Sequence, residues 1–159
     1  MSVELRVSLQ RVQNLLKRDP ESYAVEFELY FSHFKKVYEV QMNNLSHLNN
    51  EFIYLMNFIS SVIGNYKKYI EEFVNLIFEI IKKNGNELEP QIRLESCRIL
   101  CKFRKEKLIC PIKLVGCFIT LFNCKDKALR AHLFKLILAD FKHGSKKSQF
   151  GQSIKNQLQ

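Results

Sequence analysis

The apolar residues of this chain recur every three or four positions almost from end to end, and that pattern confines it to an all-helical fold. Leu5, Leu9, Val12 and Leu16 are spaced by four, three and four. Phe27, Tyr30, Phe31, Phe34 and Tyr38 keep the rhythm, as do Phe52, Leu55, Met56, Ile59 and Ile63, then Phe73, Ile77, Ile80 and Ile81. Cys97, Leu100 and Cys101 continue it. So do Leu114, Val115, Phe118, Leu121 and Phe122, and finally Leu129, Leu133, Leu136 and Ile137. A helix turns once per about 3.6 residues, so this spacing lines one face with apolar side chains. A half-buried strand would alternate with period two, and no sustained alternation bounded by turn residues occurs.

The interruptions divide the pattern into helices. Asp19-Pro20 offers a cap followed by a proline in the first turn, where its missing N–H costs nothing. Lys17 and Arg18 precede it, at a helix end where cations suit the dipole. The charged knot at 17–20 therefore reads first as a helix-to-helix corner. Gly64-Asn65 ends the third helix. The stretch NGNELEP ends the fourth on Gly85 and starts the fifth at Pro90. Pro111 starts the sixth, Asp126 caps the seventh, Gly144-Ser145 closes it, and a further short helix begins near Lys147.

Corners this short make successive helices antiparallel neighbours. Ile92-Arg93 and Leu129-Arg130 lie 37 residues apart, each just after a cap or proline at the head of an amphipathic helix. A period of about 40 with two helices per unit points to a HEAT- or armadillo-like solenoid. An irregular helical bundle is the competing arrangement. Arg93 and Arg130 are expected to brace adjacent repeats. The expectation is one all-α helical-repeat domain over residues 1–159, with about seven or eight helices. It divides into an N-terminal helix at 1–19, repeats at 20–143 and the start of a further repeat at 144–159. Because SQFGQSIKNQLQ stops inside an amphipathic segment, the chain is expected to be the N-terminal part of a longer protein.

Several function classes find no support. No apolar run approaches the ~20 residues that span a bilayer, and the N-terminus lacks the apolar core of a secretory signal. No membrane partner is expected. Five cysteines, at 97, 101, 110, 117 and 124, are an odd number in helical patterns. That fits a reducing compartment, cytosol or nucleus. They form no C-x-x-C pair and lack a histidine pair at metal-ligand spacing, so they read as core residues. Glu26 and Glu28 point to different sides of a helix, and Glu71-Glu72 sit in a first turn. Neither G-x-G-x-x-G nor G-x-x-x-x-G-K-[ST] is present. The chain is expected to need no cofactor, metal or small-molecule substrate and to be no enzyme. A thiol-dependent enzyme built on Cys110 or Cys124 is the catalytic alternative.

Charge is the remaining signal. The chain carries a net +9. Residues 1–100 hold 12 Lys/Arg and 13 Asp/Glu, whereas residues 101–159 hold 13 Lys/Arg against only Glu106, Asp126 and Asp140. Clustered charge of this kind marks an anionic partner. Lys102, Arg104, Lys105 and Lys107 close the fifth helix, and Lys142, Lys146 and Lys147 close the seventh. In a stack of helical hairpins these ends share an edge, while Lys125 and Lys127 lie on the opposite one. The ridge suits phosphate contacts, which position a nucleic acid without reading its bases. Solvated helix ends are the competing explanation. Lys17 and Arg18, together with Tyr66, Lys67 and Lys68, form a second candidate, a partner surface, with helix-start packing as its competitor.

Three blocks together resemble the Sda family, the "severe depolymerisation of actin" proteins. The first is LQRVQNLLKRDPESYAVEF (9–27), with Lys17, Arg18, Asp19, Pro20, Tyr23, Glu26 and Phe27 in the family's order. The second is LEPQIRLESCRILCKFRKEKLICP (88–111), and the third is LFNCKDKALRAHLFKLILADFK (121–142). The resemblance implies a helical-repeat scaffold without catalytic residues. It also implies a nuclear and nucleolar factor for large (60S) ribosomal subunit assembly. Its implied partners are pre-ribosomal RNA, the pre-60S particle, the Rix complex and the midasin ATPase. The alternative is a general protein–protein adaptor without direct RNA contact.

Overall fold

The computed structural model describes residues 2–84, 87–122 and 126–143. Within them the chain is helical, with seven α-helices and no strand. It divides into two compact units, Met1–Phe73 and Val74–Gln159.

In the first unit, α1 runs over Ser2–Arg18, α2 over Ala24–Asn43 and α3 over Asn50–Val62, and α3 packs against both α1 and α2. The corner after α1 differs from the expected cap. Asp19 does not open α2, which begins five residues later behind Tyr23, a residue making no side-chain cap. Asp19 Oδ1 instead accepts the amide of Ser22 at 3.2 Å and closes a turn over residues 20–23. Hydrogen bonds from the Ser22 hydroxyl and then its amide hold the Asp19 carboxyl below its ordinary range. A second corner, residues 44–49, is fastened from inside. The Gln41 side chain is buried, and its Nε2 donates to the carbonyls of Asn44 and His47, each at 2.9 Å. Asn49 then caps α3, its Oδ1 accepting from the amides of Glu51 at 3.0 Å and Phe52 at 3.4 Å.

Aromatic rings fill this unit. Phe27, Phe31 and Phe34 recur at helical spacing on α2 and are fully or nearly fully buried. Phe34 lies 5.6 Å from Phe52 and 5.4 Å from Phe73, ring centre to ring centre. A buried phenylalanine contributes about 2–3 kcal/mol by area alone, and each well-placed ring pair adds about 0.5–1.5 kcal/mol. Two 3-10 turns, Ile63–Asn65 and Lys67–Tyr69, follow α3 where the Gly64-Asn65 break was expected.

The second unit holds most of α4 (Ile70–Asn84), then α5 (Pro90–Lys105), α6 (Pro111–Phe122) and α7 (Lys127–His143). Proline starts α5 and α6 as the sequence predicts. Glu89 supplies the cap for α5, its Oε2 accepting from Gln91 at 2.7 Å and Ile92 at 3.2 Å. Asp126 caps α7 through the amide of Leu129 at 3.0 Å. The core mixes aliphatic, sulfur-bearing and phenyl side chains: Ile92, Cys97, Leu100, Phe103, Cys117, Phe118 and Leu133 are all at most 1% exposed. Gly85 and Gly144, the glycines expected to end α4 and α7, lie outside the described residues.

Candidate nucleic-acid interface

The buried pair at the head of α5 and α7 sets the geometry of the basic edge. Arg93 Nη2 sits 3.2 Å from Asp126 Oδ2, and the two side chains are 7% and 19% exposed. One turn further on, Glu95 and Arg98 of α5 act electrostatically on His132 of α7. The two helices therefore run in the same direction, in register. Their C-terminal ends fall at one edge of the unit. Arg93 thus braces α5 to the N-cap of α7. Arg130 is half-buried one turn into α7, and its amide donates to the Asp126 carbonyl at 3.1 Å.

At that edge α5 ends in a Schellman motif. The Leu108 amide donates to Phe103 O at 2.8 Å, and the Lys107 amide donates to Arg104 O at 3.1 Å. This motif places Lys107 at φ 59°, the left-handed conformation in which glycine is the usual residue. A lysine there costs about 1–2 kcal/mol relative to an unstrained backbone. Lys105 and Lys107 are exposed, whereas Lys102 and Arg104 are half-buried. Lys102 Nζ approaches Glu106 at 4.0 Å. Phe103, between them, is fully buried and belongs to the core. Lys142 lies in the last turn of α7, hence at the same edge by the course of the backbone. Lys146 and Lys147 lie outside the described residues, as does Lys125.

The second candidate surface is tied together by packing. Tyr66 stacks on Phe27 with ring centres 4.1 Å apart, and its hydroxyl donates to Pro20 O at 2.8 Å. Burial, with Glu26 and Asp19 nearby, pushes the Tyr66 phenol pKa up. Tyr69 donates its hydroxyl to Glu28, and Lys68 Nζ lies 3.3 Å from the same carboxylate. These bonds bring the 19–23 corner beside the Lys67–Tyr69 turn, so Lys17, Arg18, Lys67 and Lys68, all exposed, flank one place.

The cysteines divide. Cys97 and Cys117 are buried, and burial pushes the Cys97 thiol well up and that of Cys117 to about 12. Neither offers a thiolate at neutral pH. Cys101 is half-buried. Cys110 departs from the core expectation: it is exposed, because it stands just ahead of α6 and contributes only its carbonyl to that helix. Cys124 lies outside the described residues. Among the described residues no group of three His, Cys, Asp or Glu is placed to hold a metal ion, and no helix is long and apolar enough to cross a membrane.

Paired helices in short-cornered succession, with an arginine–aspartate brace between alternate helices, define a HEAT-type helical repeat. Residues 58–159 match the family model described as SDA1, HEAT repeat. The chain belongs to the SDA1 family. It is 32% identical over 153 residues to the SDA1 homolog of Dictyostelium discoideum, covering 96% of this chain and 20% of that protein. The Drosophila melanogaster homolog is 32% identical over 140 residues, 88% of this chain and 20% of its own length. The Schizosaccharomyces pombe protein sda1 is 27% identical over 145 residues, 89% of this chain and 20% of its own. The chain thus spans about a fifth of the length of these relatives. Family and fold together fit a scaffold role.

Proposed function

We propose that this chain is a non-catalytic scaffold in large (60S) ribosomal subunit assembly, acting in the nucleus and nucleolus. Its basic edge holds pre-ribosomal RNA, and its helical surfaces hold assembly factors on the pre-60S particle. The Rix complex and the midasin ATPase are the partners proposed from family resemblance. The observation that carries the RNA reading is the concentration of charge. Residues 74–159 hold 17 Lys/Arg and 7 Asp/Glu, whereas residues 1–73 hold 8 and 9. Cations gathered at parallel helix ends meet a phosphate backbone without chemistry and without base readout. Lys107 supports the reading further. It occupies a conformation that glycine would take more cheaply, and strain retained at one position points to use of the side chain.

RNA binding measured across a salt series tests this. Contact with about six phosphates gives a log–log slope of roughly −4 to −5. Reversing Lys102, Lys105, Lys107 and Lys142 to glutamate lowers both the affinity and the slope. A flat slope, or no RNA binding, favours a protein–protein adaptor instead. Crosslinking in cells, mapped to nucleotides, then asks whether the RNA is a ribosomal precursor; its absence defeats the assembly role.

A further inference from the structure

The corner between α5 and α6 carries lysine at two positions where the fold favours another residue. The first is Lys107. It ends α5 in the left-handed conformation that glycine takes at least cost. The second is Lys113. The Leu114 amide donates to the Cys110 carbonyl at 3.4 Å, so Cys110 holds the N-cap position of α6 and Lys113 follows three residues on. A helix favours Glu or Gln at that place, where the side chain reaches back to the cap amide and a carboxylate suits the positive end of the dipole. Lysine adds its charge to that end instead, and the first turn of α6 holds no acid to offset it. Two adjacent helix ends thus forgo the residue their own backbone favours, and both hold the same chemistry in its place.

The surroundings leave that charge standing. Residues 102–113 hold five cations, Lys102, Arg104, Lys105, Lys107 and Lys113, against one anion, Glu106. Glu106 lies 4.0 Å from Lys102 Nζ, on the turn behind it. Lys105, Lys107 and Lys113 are exposed. A long side chain in a helix points back toward the N-terminus. That direction carries Lys113 past Cys110 to the edge where Lys107 ends α5. Cys110 is exposed between them. We infer that Lys107 and Lys113 grip one phosphate of the RNA backbone across this corner. The inference rests on the RNA reading above and adds α6 to an edge built from the ends of α5 and α7.

A fluorescein-labelled RNA hairpin, bound to the chain across a salt series, tests this. Lys113→Glu gives α6 the residue its first turn favours, so its thermal midpoint holds or rises. Its affinity for the hairpin nevertheless falls by at least about fivefold near 0.15 M salt, the effect of one phosphate contact. Lys107→Gln and Lys113→Gln each make the log–log slope shallower by about 0.7–0.9, and the two together make it no shallower, because both lose the same phosphate. A double variant whose slope falls by about 1.4–1.8 holds two separate phosphates and overturns the shared grip. The thiol between the lysines gives a second readout. Alkylation of Cys110 by N-ethylmaleimide, followed by mass at that residue, slows when the hairpin is bound. An unchanged rate in the RNA-saturated protein overturns the inference. So does a slope that Lys113→Gln leaves unaltered, and the RNA reading then stands without α6. No hairpin binding by the unaltered chain removes the RNA reading itself, and the grip with it.

Discussion

All six tyrosines of the chain lie in residues 1–73, and all five cysteines lie in residues 74–159. The first unit packs by aromatic stacking, with Phe27, Phe31 and Phe34 feeding one row of rings. Its cations and anions nearly balance in number, and Lys35 Nζ sits 3.1 Å from Glu72. The second unit packs Phe78, Phe103 and Phe118 among aliphatic and thiol side chains, and the Arg93–Asp126 ion pair ties α5 to α7. Its cations outnumber its anions by ten. The same repeat architecture therefore stands on non-directional packing in one unit and on a directional polar brace in the other. Packed rings tolerate change by degrees. A brace of one buried and one half-buried charge loses its pairing at once when either member is removed.

That contrast predicts two large and differently reported losses. Phe34→Ala removes a ring that touches Phe31, Tyr38, Phe52 and Phe73, and it costs about 3–5 kcal/mol in the transition followed by tyrosine fluorescence. Arg93→Ala leaves the half-buried Asp126 carboxylate with only its Leu129 amide bond, and it costs about 1.5–3 kcal/mol in the transition followed by exposure of the Cys97 and Cys117 thiols. The double change Arg93→Met with Asp126→Asn recovers most of that loss, because it removes both charges and keeps an amide oxygen at the α7 cap. The equivalent test on the rings behaves differently: Phe34→Leu loses only part of the Phe34→Ala effect. A loss below about 1 kcal/mol for Arg93→Ala would break the comparison.

A smaller effect belongs to His132. Burial, then Arg98 and Lys135, lowers its pKa below the ordinary 6.5, and Glu95 only partly opposes them. The folded state thus binds a proton there less readily than the unfolded state. Stability from this group is fully present above the unfolded value and falls as pH drops through it towards the lower folded value. The thiol-reported transition should therefore move to lower denaturant as pH falls from about 7 through 6.5, and His132→Leu should flatten that slope. A slope unchanged by the substitution assigns the pH dependence elsewhere.

The helices were legible because periodicity and corner residues act locally. Pro90, Pro111 and Asp126 mark their helix starts in the sequence, and all three do so in the structure. The corner at residues 44–49 has no glycine or proline to mark it, although Asn43, Asn44, Ser46, Asn49 and Asn50 crowd it. Its decisive element is Gln41, a polar residue on an otherwise apolar face whose two acceptors lie on the following loop. Asp19 departs from the expected cap for the same reason. A cap and a turn-closing Asx bond use the same side chain at the same spacing, and only tertiary packing chooses between them. The basic edge was half legible. Composition placed the charge, but bringing the ends of α5 and α7 together required the Arg93–Asp126 contact, 33 positions apart in sequence.

The smallest expected effect is also the one that separates structure from use at that edge. Lys107 holds a left-handed backbone that its own side chain disfavours. If the residue served only to end α5, glycine would serve better. Lys107→Gly should stabilise the second unit by about 0.5–1 kcal/mol, since it relieves the Cβ strain and loses part of that gain to greater freedom in the unfolded chain. The same substitution should weaken RNA binding and make the salt slope shallower by about 0.7–0.9, the contribution of one phosphate contact. Opposite signs in the two measurements mark a side chain kept for its charge at the expense of the fold. Greater stability with unchanged RNA affinity would leave Lys107 outside the interface, and the edge would then rest on Lys102, Lys105 and Lys142.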